Sequence, residues 1–411
     1  MLVVMSSLRK GEYITSNGRV TCAAAMQVSI DARYVREKPS GIGVYVQALV
    51  DRLPRMAPSD RFLFWAHRLA KGPLSDAPNA AEVIVRPGPN SPWPLLWPRR
   101  YAPFDDVDVF HSPHNLLPRG VPCATVVTVH DVMAVERPDL HLQGLERAVK
   151  SLYYPQGVRR AFRRATRIIV PTEATGDRVR ALAPEATPRI RVILEAAEST
   201  FCATPDRDAA RRRAARLTGT DGPYFLVVGA VAATKRHHIA LAAFAEGAPP
   251  PWRLVFVHRQ GSRDPLMRLA RRLQVADRVV WLWRSGRHDV ATLMQAAGAL
   301  IQPSVYEGFG LPLIEAMACG CPIVASDIPP FREVTAGAAI LAPPDDVPRF
   351  RAALREIVGN DDRRRALSQQ ALARAQAFSW DRCAEETLAV YREAASDSRI
   401  SHAPFGTPSA R

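Results

Sequence analysis

The stretch "PSVYEGFGLPLIEAMACGCPIVAS" (residues 303–326) places two carboxylates eight positions apart, on either side of a glycine turn. Residues 308–310 form that turn, and Pro312 suits the first turn of the helix that follows. Free N–H groups at the start of a helix bind anions, so this pattern predicts a site for a diphosphate. Glu307 and Glu315 bracket the predicted site, where hydroxyl-bearing rings attached to a diphosphate would lie.

Short apolar, β-branched runs alternate with helical patterns on both sides of this stretch. Continuously apolar strands separated by helices are typical of parallel sheets that are covered on both faces. The sequence therefore predicts an α/β protein with two doubly wound, Rossmann-like domains that face each other across a cleft. The predicted strands lie at 26–32, 61–67, 82–86, 108–112, 124–130, 167–171, 190–195, 224–230, 253–258, 278–283, 299–303, 322–326 and 338–343.

The predicted elements divide the chain into two domains of similar size. A polar segment rich in proline and arginine separates them, which places an N-terminal domain at 26–205 and a C-terminal domain at 206–378. Met26 opens a clean strand, whereas 1–25 has no signal-peptide pattern, so we expect that extension to be disordered or a mis-annotated start. The last residues, 396–411, have the composition of a flexible tail.

Composition excludes several classes of protein. The 411 residues carry a net charge of +15, with 47% hydrophobic and 23% charged residues, which is typical of a globular protein. No apolar run is long enough to predict a transmembrane helix. The basic residues favour an anionic substrate or membrane surface, and without a zinc-finger, RNP or basic-zipper pattern we predict no nucleic-acid partner. Six scattered cysteines without a CxxC pair predict reduced thiols and a cytoplasmic location.

The other candidate residues lie in loops that follow predicted strands, because ligands of open parallel sheets bind at the carboxyl ends of strands. Gly41 and Gly43 enter a helix after the first strand, where a plain strand–helix turn explains them equally well. His130 ends another strand, and a structural role for this histidine stays open. Gly229 and Lys235 follow a buried strand and suit a phosphate, with a solvent-exposed lysine as the alternative.

Taken together, these motifs resemble the retaining glycosyltransferases of family 4, which have the GT-B fold. "EGFGLPLIE" (307–315) matches the E-x7-E motif of that family at both ends, and "EAMACGCPIVASD" continues it. The resemblance covers about 26–395, through "IDARYVREKPSGIGVYVQAL", "DVFHSPHNLLP", "TVVTVHDVM", "RRATRIIVPTEAT" and "FSWDRCAEETLAVYREA". It is greatest for a bacterial subgroup that often transfers mannose. It also implies that a helix at about 379–395 crosses back to the N-terminal domain.

The resemblance assigns a role to each candidate residue. Glu315 would bind the nucleotide ribose, Glu307 the hydroxyls of the donor sugar, and Lys235 the diphosphate. His130 matches the active-site histidine near donor sugar and acceptor, so His130, Lys235 and Glu307 are the predicted catalytic residues. The predicted donor-binding residues are Gly41, Gly43, Gly229, Lys235, Phe309, Gly310, Leu311 and Glu315.

The implied reaction moves a hexose from a nucleotide diphosphate sugar to a hydroxyl with retention of configuration, in polysaccharide or glycolipid synthesis. GDP-mannose is the first candidate donor, and the acceptor would be a saccharide or a polyprenyl-diphosphate-linked saccharide. No cofactor and no metal are expected, since no Asp-x-Asp motif is present and the family does not need a metal.

The segment "SPWPLLWPRRYAPF" (91–104) bears on where the enzyme works. Its tryptophans, arginines and prolines suit a membrane interface or an acceptor clamp, and a packed loop is the alternative. The predicted location is therefore the cytoplasm, with peripheral binding to an anionic membrane surface as a further hypothesis.

Three alternatives to this function stay open at the level of sequence. Ala230 and Thr234 stand where relatives commonly have a phosphate-binding arginine, which leaves room for a catalytically impaired scaffold subunit that binds nucleotide sugars. A GT-B epimerase or phosphorylase is a second alternative, which the paired glutamates disfavour. A nicotinamide oxidoreductase is a third, which the missing GxGxxG motif makes a poor match.

Overall fold

The computed structural model describes residues 12–14, 20–22, 25–37, 40–70, 72–138, 145–258, 261–283 and 285–401. Strands β1 (Glu12–Ile14) and β2 (Val20–Cys22) pair antiparallel as a short hairpin. This hairpin lies inside the extension 1–25, for which the sequence analysis expects either disorder or a mis-annotated start. The other residues of 1–24 lie outside the described ones.

The N-terminal domain is built on a seven-stranded parallel sheet with the order β5-β4-β3-β6-β7-β8-β9. Between β3 and β6 the strand order reverses direction, which is the place where such sheets open a crevice for ligands. The strands are β3 (Gln27–Ile30), β4 (Arg61–Ala66), β5 (Ala80–Ile84), β6 (Val109–Ser112), β7 (Ala124–Thr128), β8 (Arg167–Val170) and β9 (Ile190–Val192).

The C-terminal domain is built on a six-stranded parallel sheet with the order β12-β11-β10-β13-β14-β15. Its strand order reverses between β10 and β13, so the loops after these two strands meet. The strands are β10 (Tyr224–Val228), β11 (Arg253–His258), β12 (Val279–Trp283), β13 (Ala299–Gln302), β14 (Ile323–Ser326) and β15 (Ile340–Ala342).

The predicted α/β class with two doubly wound domains is confirmed. Each strand of the two sheets corresponds to one predicted strand, and the observed ends differ from the predicted ones by at most three residues. The differences fall where the chain leaves the sheet, because residues that turn toward a cleft keep the apolar composition of the strand without its hydrogen bonds.

Helices cover both sheets on both faces. In the N-terminal domain they are α1 (Gly41–Met56), α2 (Pro92–Leu96), α3 (Met133–Glu136), α4 (Leu145–Arg164) and α5 (Glu173–Leu182). In the C-terminal domain they are α6 (Arg207–Thr218), α7 (His237–Gly247), α8 (Asp264–Arg272), α9 (Arg287–Ala296), α10 (Leu311–Ala318), α11 (Pro329–Thr335), α12 (Val347–Gly359), α13 (Asp361–Ala375) and the final helix α14 (Trp380–Ser401).

The first long helix shows how local sequence sets these elements. The Ser40 hydroxyl accepts a hydrogen bond from the Gly43 N–H at 3.3 Å and so caps the start of α1. Val46, Leu49 and Leu53 recur at helical spacing and are fully buried. The helix therefore packs one apolar face on the N-terminal sheet and points its first turn at the cleft.

The final helix joins the two domains a second time. It follows the C-terminal domain in sequence but packs on α1 and β7 of the N-terminal domain, where Tyr391 is fully buried. It continues to Ser401, so the first six residues of the predicted tail 396–411 are helical, and residues 402–411 lie outside the described part. Among the described helices, none combines the length and the apolar character that a membrane span needs.

Candidate functional site

The helix α10 starts at a glycine that no other residue could replace without strain. Gly310 has φ +107°, and an added Cβ would lie 2.7 Å from the ring of Phe331. The Phe309 side chain is buried, with its ring centroid 6.2 Å from that of Phe378. The Phe309 ring therefore points into the core and not into the cleft, and the N–H groups at the start of α10 remain the predicted anion-binding groups.

The N-terminal domain reaches this turn with the first residues of α1. A Cβ built on Gly41 would lie 3.4 Å from Cδ1 of Leu311, which brings these two predicted residues together. Gly43 lies deeper, since it is buried and its N–H donates to Ser40. The amide of Gly43 is thus committed to the helix cap, and Gly41 is the glycine that faces the other domain.

The two domains approach each other closely at Gly308. A Cβ at this position would lie 1.6 Å from the carbonyl oxygen of His130, so only glycine fits there. The Gly308 carbonyl also accepts hydrogen bonds from the hydroxyls of Thr172 at 2.9 Å and Thr175 at 3.0 Å, at the start of α5. The glycine turn is therefore held against the N-terminal domain on two sides.

Lys235 and Glu307 form an ion pair at the point where the C-terminal sheet reverses its strand order. The Lys235 Nζ donates to Glu307 Oε1 at 2.5 Å, and the side chains are 22% and 15% exposed. Gln302 donates a longer bond of 3.4 Å to the same carboxylate oxygen. The predicted phosphate cation and the predicted sugar-binding carboxylate thus lie side by side, beside the start of α10.

Glu315 is nearly buried, and its carboxylate accepts a hydrogen bond from Arg287 at 2.8 Å. Arg287 is the first residue of α9, also donates to Glu198, and lies over the ring of Phe201 at 4.7 Å. Glu198 and Phe201 belong to the segment between the domains, so the Arg287 guanidinium group links that segment to Glu315, the predicted ribose-binding carboxylate. This arginine was not among the predicted site residues.

The loop after β10 positions Lys235, and the neighbouring Arg236 does not join it at the glycine turn. Gly229 has φ +142° and donates its N–H to the Val257 carbonyl at 3.0 Å, which starts the turn out of the sheet. Thr234 is buried, and its carbonyl accepts a hydrogen bond from the Val305 N–H. Arg236, which follows Lys235, pairs with Asp345 at 3.0 Å. It therefore points away from the glycine turn.

His130 lies at the end of β7 with both ring nitrogens engaged. Nδ1 is 2.9 Å from Glu195 Oε1, and Nε2 is 3.1 Å from the Pro113 carbonyl oxygen. The backbone N–H of His130 donates to Asn115 at 2.9 Å. Burial lowers the pKa of His130, but the hydrogen bond and charge of Glu195 outweigh it and raise the pKa above its ordinary value.

Other polar groups line the same edge of the N-terminal sheet. Asp31 and Arg33 form a pair at 2.6 Å in which both side chains are 1% exposed. Burial raises the pKa of Asp31, but Arg33 lowers it by more. His111 is hydrogen-bonded to Tyr391 at 2.6 Å and to Thr128 at 2.8 Å. These bonds tie the final helix to the strand that carries His130.

Two histidines of the C-terminal domain have a different environment. His237 and His258 are 4% and 1% exposed, and in the described part of the chain no hydrogen-bond partner is found for their ring nitrogens. Burial lowers the pKa of both rings, for His237 to about 3. His258 ends β11 and packs edge-on against Trp283, which ends β12 and is 46% exposed.

Lys235, Glu307 and Glu315 lie around the glycine turn, whereas Gly43 and Gly229 are engaged in a helix cap and a strand end. The residues that sequence reasoning missed, Arg287 and Glu195, are partners of Glu315 and His130. Arg287 and Glu195 each follow a strand, which is the same signal that selected Lys235 and His130. Glu195 lies inside the predicted strand 190–195, and Arg287 lies in no predicted element, so the sequence pattern marks neither as a residue that faces the cleft. In the described part of the chain, no group of three or more metal-ligating side chains converges.

Two family profiles match the chain, one in each domain. "Glycosyltransferase Family 4" matches residues 39–195 and "Glycosyl transferases group 1" matches residues 208–374. An O-antigen chain mannosyltransferase B of Escherichia coli is 27% identical over 307 residues, which cover 72% of this chain and 78% of that protein. The chain spans about half the length of other curated relatives that are 31–34% identical.

Solved structures match almost the whole chain. A sucrose-phosphate synthase of Thermosynechococcus elongatus superposes with a TM-score of 0.72 at 20% identity, covering 91% of this chain and 100% of that one. Anabaena HepE, solved in complex with UDP-glucose, superposes with a TM-score of 0.66 at 16% identity, covering 90% and 100%. At these identities the superpositions establish the GT-B fold. With both family profiles in place, the chain belongs to glycosyltransferase family 4 and is a glycosyltransferase.

Proposed function

We propose that this enzyme transfers a hexose, with mannose as the first candidate, from a nucleotide diphosphate sugar to a saccharide or lipid-linked saccharide hydroxyl, with retention of anomeric configuration. The observation that carries the proposal is the grouping of Lys235, Glu307 and Glu315 around the start of α10, at the switch point of the sheet. This arrangement offers the Lys235 cation, the N–H groups at the start of α10 and one carboxylate on either side of the glycine turn.

The donor fits this grouping in one orientation. The diphosphate would lie at the start of α10, where Lys235 and the N–H groups stabilise negative charge. The ribose would lie toward Glu315 and the hexose toward Glu307, because these carboxylates flank the turn on opposite sides. In this orientation the diphosphate takes over the Lys235 ammonium group, and Glu307 becomes available to the hydroxyls of the sugar.

The reaction itself breaks the bond between the anomeric carbon and the diphosphate oxygen. The acceptor oxygen forms the new bond on the same face of the sugar, and its proton passes to the departing diphosphate. Lys235 and the helix N–H groups would stabilise the charge that develops on the leaving group. The contact between Gly308 and His130 would keep water out of the cleft, since water would hydrolyse the donor.

The choice of donor rests on a relative rather than on the site. A mannosyltransferase is among the proteins similar to this chain, which makes GDP-mannose the first donor to test. The test is a thermal-shift series with GDP, UDP, ADP and dTDP and their sugars, with Glu315→Ala as the comparison. A nucleotide that raises Tm of the wild type and not of the variant supports the placement, and no shift with any of them contradicts it.

Turnover with the selected donor then separates an enzyme from a nucleotide-binding scaffold. Arg236 pairs with Asp345, so the site has Lys235 as its one phosphate-facing cation among the described residues of this loop. We expect turnover nonetheless, with a product whose anomeric configuration, read by NMR, equals that of the donor. An inverted product would contradict the retaining mechanism.

We also propose that the enzyme binds an anionic membrane surface through a tryptophan patch, defined as Trp93, Leu96, Trp97, Arg99 and Arg100. Trp93 and Trp97 are 54% and 50% exposed, and their rings stack at 5.7 Å. The apolar rings and the adjacent guanidinium groups suit the interface of an anionic bilayer.

The position of this patch relative to the cleft supports a lipid-linked acceptor. The Tyr34 hydroxyl donates a hydrogen bond to Asn90 at 2.6 Å, and Asn90 lies just before α2, the helix that bears Trp93. The Tyr34 ring lies 5.1 Å from the His114 ring. The chain around His114 in turn holds His130 through the Pro113 carbonyl. These contacts connect the segment that bears the patch to the segment that holds His130, and we propose that an acceptor head group reaches His130 while its lipid stays at the patch.

Co-sedimentation with vesicles of phosphatidylglycerol and phosphatidylcholine tests this at low and high salt. We expect the wild type to bind and the double variant Trp93→Ser/Trp97→Ser to lose most of the binding. Leu69→Ser is the matched control, because Leu69 is 58% exposed on the same domain outside the patch. Wild-type protein that stays in the supernatant at low salt would contradict the proposal.

A further inference from the structure

The hydrogen bonds of His130 determine how many protons its ring holds. The Pro113 carbonyl oxygen can only accept a hydrogen bond, so the nitrogen beside it, Nε2, carries a proton. The other nitrogen, Nδ1, lies 2.9 Å from a carboxylate oxygen of Glu195, which is also an acceptor. A ring with acceptors at both nitrogens is bound best as the doubly protonated imidazolium.

The surroundings of the ring support the same charge state. Glu195 and Asp131 are the carboxylates that act on it. His111 and His114 also lie near, but burial lowers their pKa values to about 3 and about 4, so both are neutral at neutral pH.

The remaining neighbours come from the helices and from the other domain. Tyr45 of α1 lies edge-on to the His130 ring at 5.0 Å, and Cys383 of α14 lies close to Glu195. Burial raises the pKa of both groups, so both are neutral as well. From the C-terminal domain, the backbone at Gly308 meets the His130 carbonyl. The described groups around the ring are thus either anionic or uncharged at neutral pH.

We propose that Glu195 is a positioning residue that holds His130 as an imidazolium, so that His130 serves glycosyl transfer as a fixed positive charge and not as the base that takes the acceptor proton. This inference rests on the proposed function for the reaction it serves. A ring without a free lone pair cannot accept a proton, so the acceptor proton goes to the leaving diphosphate, as the mechanism above requires.

The pH dependence has a definite sign. Because the pKa of His130 is raised, the imidazolium is complete below the ordinary value of 6.5 and is lost as pH rises through the raised value. Activity that needs the cation therefore declines on the alkaline side. Activity that needed a neutral base would instead decline on the acid side.

The experiment uses the full chain and the variants Glu195→Gln, Glu195→Asp and Glu385→Gln, the last being an exposed carboxylate on α14. The ring of His130 is titrated by ¹⁵N NMR, with His130→Gln to assign its signals, and kcat/KM is measured against pH. In the wild type at pH 7 we expect both ring nitrogens to be protonated, a result that needs His130→Gln only to assign the signals and needs no turnover.

In Glu195→Gln we expect the ring pKa and the alkaline limb of kcat/KM to move down together by at least about one pH unit. Glu195→Asp should restore most of this shift, and Glu385→Gln should cause none. A neutral ring in the wild type, an unchanged ring pKa in Glu195→Gln, or a shift of the acid limb instead would each overturn the proposal. Because the NMR titration is done on the free protein, failure of the donor assignment would leave its result unaffected.

Discussion

The two domains present polar groups of different character to the cleft. On the N-domain face, defined as the strand ends with Asp31, His111, His130 and Glu195, the side chains bind partners of the same domain or of the final helix, and all of them except His130, which is 14% exposed, are buried. On the C-domain face, defined as the loops around the start of α10, the pairs are also made, but their cations remain 22% and 26% exposed.

This difference bears on how each face can change when a ligand binds. Separating the two members of a buried ion pair leaves an uncompensated charge in the protein, which is costly. The arrangement of the N-domain face is therefore fixed when the protein folds. A partly exposed cation can exchange one oxygen partner for another at small cost, because solvent screens it during the exchange. The C-domain face can therefore give Lys235 to a diphosphate, whereas the N-domain face positions what it binds.

The largest effect on kcat is expected from removing the Lys235 ammonium group on the C-domain face. Lys235→Met should lower kcat by about 100- to 1,000-fold, because the developing charge on the leaving group loses its ammonium partner. Arg236→Met is the matched control, since that side chain pairs with Asp345 and should change kcat little. Equal losses in both variants, measured with saturating donor, would mean that the loop acts as a whole and not through Lys235.

The contact between the two faces is the next target. Gly308→Ala would drive a methyl group into the His130 carbonyl, at 1.6 Å in the present arrangement, so the faces would have to separate. We expect kcat/KM to fall by about 100-fold, as misplacements of this size do.

Nucleotide binding separates that effect from damage to the donor site. The affinity for nucleotide, measured by calorimetry, should change little in Gly308→Ala, because the C-domain face holds it. Gly359→Ala is the control, because its Cβ would meet no atom within 4 Å. Full activity in Gly308→Ala would show that the faces need not touch.

Sequence reasoning reached the two faces unequally, for a physical reason. The start of α10 is encoded within ten residues, since turn, proline and both glutamates are neighbours in the chain, and local pattern was enough to find it. The partner of His130 lies 65 positions away and that of Lys235 lies 72 away. Such pairs are set by which strand ends meet, and no local pattern records that.

The same limit explains why Glu195 and Arg287 were missed although their loops were adjacent to predicted ones. An apolar run predicts where a strand lies but not where its hydrogen bonds stop, so Glu195 was read as the end of a strand that closes three residues earlier. The order of strands in the sheet decides which loops converge, and that order depends on packing over the whole domain.

A smaller effect concerns the fixed character of the N-domain face. Burial lowers the pKa of His111 to about 3, whereas the unfolded chain would titrate near 6.5, so the folded state binds fewer protons in between. Stability should therefore be complete above pH 6.5 and be lost as pH falls below it, by about 2 kcal/mol between pH 7 and pH 5 for this one group. His111→Gln should remove that share of the pH dependence in urea unfolding, whatever its effect at pH 7. An unchanged slope would mean that the ring binds protons equally well in the folded and the unfolded chain, against the lowered pKa.

The smallest effect is expected where the two domains meet away from the catalytic groups. Glu333 of α11 accepts hydrogen bonds from the N–H groups of Glu173 and Ala174 at 2.8 Å and 3.0 Å, so a carboxylate of one domain caps a helix of the other. Glu333→Gln keeps the shape and one acceptor oxygen but removes the charge, which is worth about 0.3–1 kcal/mol at a helix N-terminus. If this contact favours the closed arrangement, KM for the donor should rise about two- to fivefold with kcat nearly unchanged, since only the balance between open and closed states moves.

Glu356→Gln removes a carboxylate that pairs with Arg363 inside the C-terminal domain, and it should leave KM as it is. A drop in kcat for Glu333→Gln, with KM constant, would instead mean that this contact helps to position the reacting groups. The fixed N-domain face would then depend on a contact from the C-terminal domain, which the burial of its own charges does not indicate.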